Sequence, residues 1–380
     1  MNIAIFISPR HRVPPNEEKI LAPWYLAEDL VNGLVDRKKT VYLFAAKTSQ
    51  TKGILCDYGI EPTFPMKSKF SQFEYKEYVK RMDQLLFSKM VETTQEKSIE
   101  VVHSHQLENA YEIIRDAPPS LQFVFTLHDP LNEDKERLIA QLNTLPNCHF
   151  VSISDSQRQN LPYRFAATVY NGIRIIDWSF QVNPSDYLLH MGRLVPEKGL
   201  DDAILAAIKL NMQLEIGTDF SDSNINKDYY KKRIEPYLKN PLIGEPGIVT
   251  GNEKKILYKQ ARALLFPIKW EEPFGLVMTE AMACGTPVVA YGRGSAPEVV
   301  VDGITGFIVN ESEKEKRGNW IVKKPGVDGL VEAVERINAM DERGYSAMRE
   351  ACRQHVEDYF SVKNMVIGYE KVYNMILGRE

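Results

Sequence analysis

Apolar residues along this chain fall in short runs separated by longer stretches of helical period. Asn2–Ser8, Thr40–Ala46, Glu100–His103, Phe123–Leu127 and Phe150–Ser154 read as strands, several apolar almost throughout, as a parallel sheet covered on both faces requires. Leu26, Leu30 and Leu34 give helical spacing to a segment from about Ala22 to Val35, and Phe70–Glu96 mixes aromatics, Lys and Glu at the same period. The opening order of strand, loop, helix and strand is Rossmann-like. Thr168–Ile173 closes this first set, and the turn-rich Asn171–Pro184 reads as a linker. A second alternating set follows. Its strands are Tyr187–Met191, Gln213–Gly217, the short Ile248–Thr250, Ala263–Pro267 and Thr286–Tyr291. Its helices are Leu200–Leu210, a polar stretch Ser221–Lys239, Asn252–Ala261, Val277–Ala283 and two within Pro325–Phe360. A last helix, Val362–Leu377, carries Val362, Met365, Val366, Tyr369, Val372, Tyr373 and Ile376 on one stripe. Two such sets predict an α/β protein of two Rossmann-like domains, 1–178 and 179–360, followed by the helix at 361–380.

Composition narrows the function. Of 380 residues 44% are hydrophobic and 26% charged, the balance of a soluble globular protein. A net charge of -4 argues against a nucleic-acid surface. Four cysteines without a C-x-x-C pair read as isolated reduced thiols. The N-terminus lacks the pattern of a signal peptide, no apolar run approaches the ~18 residues of a membrane span, and a cytoplasmic protein is expected. Acidic residues among the lysines of 70–96 favour a solvated helix over one lying on a membrane. No G-x-G-x-x-G follows the first strand, so a dinucleotide cofactor is not supported.

The chemistry concentrates in Trp270–Gly306, a strand–loop–helix–strand unit. Glu272 stands in its loop and Glu280 in its helix, on one face if both are helical. Gly275 opens a helix start whose free N–H groups suit an anion, and Gly285 suits the left-handed cap at its end. Either glutamate could instead be a dipole partner or a solvated side chain. Arg193 and Lys198 lie in a Gly-bounded loop at a strand–helix junction, where a planar fork and a point charge match a diphosphate. His105 and His128 end strands, where a parallel sheet meets a ligand crevice or where a histidine simply bonds backbone. No D-x-D occurs to hold a metal against a diphosphate.

The stretch E-P-F-G-L-V-M-T-E-A-M-A-C-G-T-P-V-V-A, then G-S-A-P-E-V-V-V-D-G-I-T-G-F-I-V, together with G-R-L-V-P-E-K-G, resembles retaining glycosyltransferases of family 4. The resemblance implies a GT-B fold, two Rossmann-like domains with a cleft between them, and a last helix crossing back to the first domain. It implies transfer of a sugar, with retention, from a nucleoside diphosphate donor of UDP- or GDP-sugar type to an unknown acceptor: a sugar, a lipid or a small molecule. Arg193 and Lys198 would hold the diphosphate. Glu272 and the N–H groups of Phe274, Gly275 and Leu276 would contact the transferred sugar, Glu280 the ribose, and His105 or His128 the sugar or acceptor. No metal and no cofactor are implied. The first loop, R-V-P-P-N-E-E-K, departs from the family in lacking glycine. An alternative of the same architecture is a sugar-nucleotide 2-epimerase, which needs no acceptor.

Overall fold

The computed structural model describes residues 1–15, 21–108, 110–159, 161–218 and 226–379. In chain order the first unit contains β1 (Asn2–Phe6), α1 (Ala22–Asp36), β2 (Thr40–Phe44), β3 (Ile54–Leu55), α2 (Gln72–Glu92), β4 (Val101–Ser104), α3 (Ala110–Ile114), β5 (Gln122–Leu127), α4 (Glu133–Leu142), β6 (Cys148–Ser152), α5 (Asp155–Arg158) and β7 (Phe165–Thr168). The second contains β8 (Tyr187–Met191), α6 (Leu200–Leu210), β9 (Gln213–Gly217), α7 (Lys227–Tyr229), α8 (Gly251–Gln260), β10 (Ala263–Phe266), α9 (Leu276–Ala283), β11 (Val288–Tyr291), α10 (Ala296–Val299), β12 (Gly306–Val309), α11 (Gly326–Asn338) and α12 (Glu342–Tyr359). The last helix, α13 (Val362–Ile376), belongs with the first unit, which spans Met1–Gly172 and Val362–Glu380; the second is Ile173–Ser361. Residues 173–178 therefore group with the second unit.

Both sheets are wholly parallel, ordered β3-β2-β1-β4-β5-β6-β7 and β12-β11-β10-β8-β9. Strands such as β10 and β11 are buried at every residue, which explains their unbroken apolar runs. In each sheet the chain winds outward from its first strand in one direction and then in the other. The two points of reversal lie between β1 and β4 and between β8 and β10. The crevice outside the carboxyl ends of such strands is where open α/β sheets receive ligands.

Local chemistry sets the ends of the helices. Pro23 fits the first turn of α1, where its missing N–H costs nothing. Ser71 and Glu74 form a capping box at α2. The apolar stripe of α13 buries Met365, Val366, Tyr369, Val372 and Tyr373 in the core that also holds Leu30 and Leu34 of α1. Gly33 permits this approach, since a Cβ there would lie 2.5 Å from Val366 Cγ2. Glu370 adds ion pairs to Arg37 and Lys39 at 2.5 and 2.7 Å.

Two expected elements differ. Ile248–Thr250 is not a strand; nearby, Ile243 and Gly247 make only isolated bridges to β9, and Pro246 between them has no N–H for a ladder. Of the polar stretch Ser221–Lys239, residues 221–225 lie outside those described, and the rest is α7 followed by short π and 3₁₀ turns, with Pro236 at the start of the latter. Among the described residues no helix is long and apolar enough to cross a membrane.

Candidate functional site

The loops after β8 and β10 meet at the second sheet's point of reversal. Gly199 joins them closely: its φ is 68°, and a Cβ there would lie 1.9 Å from Pro267 O, so only glycine fits. Lys198, one residue earlier, donates from Nζ to Glu272 Oε2 at 2.5 Å. Trp270 Nε1 donates to the same oxygen at 2.8 Å, and its ring carries Lys198 Nζ 5.0 Å from the centroid. The side chains of Lys198 and Glu272 are 13% and 12% exposed, so the pair is largely shielded from water yet reachable. Arg193 lies 5.9 Å from the Trp270 ring, and its guanidinium has no hydrogen bond or ion pair to a described residue. A cation left unpaired beside a paired one is what an incoming anion would meet.

Gly275 caps α9 with φ 77°, in the left-handed region. A Cβ there would lie 2.9 Å from Met278 Cε and 3.4 Å from Glu272 Cγ, so the turn brings the helix start against Glu272. The N–H groups of Leu276 and Val277 head the helix, where helical geometry gives them no acceptor. Phe274 is buried; its carbonyl accepts from Ser295 Oγ at 2.7 Å and its ring meets Phe360 edge-on at 5.8 Å. The loop is anchored further by Glu271, whose carboxylate accepts from Gly294 N–H at 2.8 Å and pairs with Arg293 and Arg317 at 3.1 and 2.9 Å.

Glu280 does not share a helical face with Glu272, because α9 begins only at Leu276 and Glu272 remains in the loop. That expectation required both to be helical. Glu280 is buried and has its own partners: Lys254 Nζ at 2.8 Å and Tyr258 Oη at 2.9 Å, both from α8. A carboxylate has about four acceptor positions, so two remain for a ligand. Trp270, Lys254 and Tyr258 had no role in the sequence reading. Lys254 and Tyr258 stand one helical turn apart in α8, which puts them on one face, but nothing in a single sequence says that α8 packs against Glu280.

At the first sheet's point of reversal the chemistry is histidine. His105 follows β4, its N–H bonded to Phe6 O at 3.2 Å, and its Nδ1 meets His128 Nε2 at 2.7 Å. The structure thus brings the two histidines together, and Nε2 of His105 is buried without a hydrogen-bond partner among the described residues. His103 inside β4 stacks on His105 at 4.6 Å and bonds Tyr373 Oη at 2.6 Å and Thr126 Oγ1 at 2.8 Å. Tyr369 Oη completes this set at 2.9 Å from Thr126 Oγ1, so α13 anchors the histidines from beneath. Burial, and then the neighbouring His128, depresses His103 to about 3. Burial depresses His128 to about 4 against the pull of Asp129, and His105 falls well below its ordinary value, chiefly by burial. All three are neutral at pH 7. Each can donate one hydrogen bond and accept one, and none carries charge to an anion. Of the glycine-less first loop, residues 16–19 lie outside those described.

Comparison with known proteins adds the following. Residues 175–319 match the family of glycosyl transferases group 1. The chain is 25% identical over 314 residues to lipopolysaccharide 1,2-N-acetylglucosaminetransferase of Salmonella typhimurium, covering 77% of this chain and 78% of that one. It is 24% identical over 343 residues to N-acetyl-alpha-D-glucosaminyl L-malate synthase of Bacillus anthracis, covering 82% of each. Among solved structures, Anabaena HepE in complex with UDP and glucose has a TM-score of 0.66 at 18% identity, covering 99% of this chain and 100% of that one.

Proposed function

We propose that this chain, a GT-B glycosyltransferase of the group 1 type, moves a sugar with retention from a nucleoside diphosphate donor, of UDP- or GDP-sugar type, to a hydroxyl acceptor. The observation that carries the reading is the Arg193 guanidinium, which pairs with no described residue, beside the Lys198–Glu272 pair at the crevice between β8 and β10.

In this reading Arg193 and Lys198 receive the diphosphate, the guanidinium as a planar fork and the ammonium as a point charge. Lys198 is held in place by Glu272 before the donor arrives, so little reorganisation remains at the moment of reaction. Glu272, with the N–H groups of Phe274, Gly275 and Leu276, takes hydroxyls of the transferred sugar. Glu280 takes the ribose with the acceptor positions that Lys254 and Tyr258 leave. The bond between the anomeric carbon and the diphosphate oxygen breaks as the acceptor oxygen bonds to that carbon from the same face. The acceptor's proton passes to the departing phosphate oxygen, and the two cations stabilise the charge that remains. His105 offers Nε2 to a sugar hydroxyl, and His128, bonded to Nδ1, holds its orientation. The absence of D-x-D in the sequence supports a metal-independent reaction.

The test is incubation with UDP- and GDP-sugars and an acceptor panel. Acceptor-dependent release of nucleoside diphosphate, with an axial donor linkage kept axial in the product by NMR, is the expected result. Conversion of the donor sugar without any acceptor would instead indicate the epimerase, and an inverted product would remove retention.

A further inference from the structure

The first unit's crevice holds polar groups that the donor chemistry does not use. They surround residues 7–15, just after β1, which are fixed at many points. Arg10 N–H donates to Ser8 Oγ at 3.2 Å, Thr63 N–H to Pro9 O at 3.0 Å and Phe64 N–H to Arg10 O at 3.0 Å. Val13 N–H donates to Ser49 Oγ at 2.9 Å, and Trp24 Nε1 to Ser8 O at 3.1 Å. The His11 ring packs on Trp24 and Phe64 with centroids 5.1 and 4.7 Å away. A loop held this way is ordered before any ligand arrives, which removes part of the cost of binding.

Asp83 of α2 comes to the same place. Phe87, one turn further along α2, meets Phe6 of β1 edge-on at 5.0 Å. Burial raises the titration of Asp83 to about 7, with Glu108 adding to the rise and Ser8 and Arg10 opposing it. Its Oδ1 is buried with no hydrogen-bond partner among the described residues, and so is Nε of Arg12, two residues along the loop from Arg10. An orphaned buried polar atom is costly, and native proteins keep few without a reason. One orphan accepts and the other donates. Both lie on or against the loop at the point of reversal, where a ligand could supply the missing bonds.

We propose that this crevice receives the acceptor and that the acceptor is an acidic hydroxyl compound: its carboxylate or phosphate meets Arg10 and Arg12, and a neighbouring hydroxyl bonds Asp83 Oδ1. The proposal rests on the glycosyl-transfer reading only for the word acceptor; the binding itself is testable alone.

Trp24 touches this loop through its indole N–H, and Trp270 touches the Lys198–Glu272 pair through its own. The full chain labelled with 5-fluorotryptophan carries four probes, at Trp24, Trp178, Trp270 and Trp320, and Trp24→Phe assigns the first. Titration with glycerol 3-phosphate and with glycerate should shift the Trp24 fluorine resonance saturably with at least one acid, which distinguishes phosphate from carboxylate. Glycerol at the same concentration should leave it still. Arg10→Gln and Arg12→Gln should each weaken the acid by about tenfold, the scale of one charge-assisted contact, with the Trp178 and Trp320 resonances reporting an intact fold. Wild type should prefer glycerol 3-phosphate to inorganic phosphate, and Asp83→Ala should erase that preference. No Trp24 shift with either acid, an equal shift with glycerol, or unchanged affinity in both arginine variants overturns the proposal. UDP and GDP read at Trp270 test the donor site separately: a Trp270 response without one at Trp24 sinks the acceptor proposal alone, and the reverse sinks the donor reading alone.

Discussion

The crevice outside β8 and β10 is lined by charges that answer one another; the crevice outside β1 and β4 is lined by histidines that have lost theirs. Lys198 meets Glu272 and Lys254 meets Glu280, each carboxylate also accepting from a neutral donor, Trp270 or Tyr258. His103, His105 and His128 stack and bond to one another and to Tyr373 and Thr126, all of them depressed by burial. The difference teaches how burial selects chemistry. A buried ion persists only when paired and hydrogen-bonded, whereas an unpaired titratable group gives up its charge. The first arrangement suits a diphosphate, whose charge needs cations. The neutral histidines of the second suit uncharged hydroxyls.

The comparison breaks first at Glu272. Glu272→Gln keeps the shape but releases Lys198 and loses acceptance of paired hydroxyls. Turnover should fall by about a hundredfold, while affinity for bare nucleoside diphosphate stays within about threefold. Single-turnover kinetics beside calorimetry separate the two numbers. If affinity collapses while turnover survives, Glu272 is not at the sugar.

Glu280→Gln should act differently. It weakens bare nucleoside diphosphate by about tenfold, and it also removes a charge from the contact with Lys254 and Tyr258, costing roughly 1–3 kcal/mol of stability. Denaturant melts and calorimetry on one preparation measure both. An unchanged melt and unchanged affinity would return Glu280 to a bystander.

The histidine side is sharpened by pH. A histidine whose folded value lies below its unfolded one binds fewer protons in the native state, so stability is lost as pH falls through the interval between the two values. For His128, depressed to about 4 mainly by burial, that window runs from about 6.5 down to about 4; for His103 it extends to about 3. Stability from urea melts should therefore fall steadily below pH 6.5, and His128→Gln should lessen the slope by up to about 1.4 kcal/mol per pH unit, one proton's worth. An identical slope in the variant would mean that His128 is charged in the folded protein. The smallest expected effect is none: excess EDTA should leave transfer unchanged, and a loss restored by Mg²⁺ or Mn²⁺ would contradict the metal-free reading.

What the sequence made legible follows from how local each feature is. The strands at Tyr187–Met191 and Gln213–Gly217 and the helix at Leu200–Leu210 were readable to the residue, since apolar runs and periodic stripes are local consequences of burial. Arg193, Lys198, Glu272 and Gly275 were readable because each sits in a contiguous loop where a strand hands over to a helix. Lys254, Tyr258, Tyr373 and Asp83 were not, because each acts on a partner distant in sequence, at |i−j| of 26, 22 and 270 for the first three. The supposed strand Ile248–Thr250 misled because three residues carry too little pattern to weigh against the neighbouring Pro246 and Gly247.

The central claim is that the crevice between β8 and β10 binds a nucleoside diphosphate through Arg193 and Lys198. Isothermal titration of UDP and GDP into wild type, Arg193→Ala and Lys198→Ala tests it most directly. Wild type should bind at least one of the two nucleotides, and each variant should bind it at least about tenfold more weakly, the worth of one charged contact. Affinity unchanged in both variants would contradict the account.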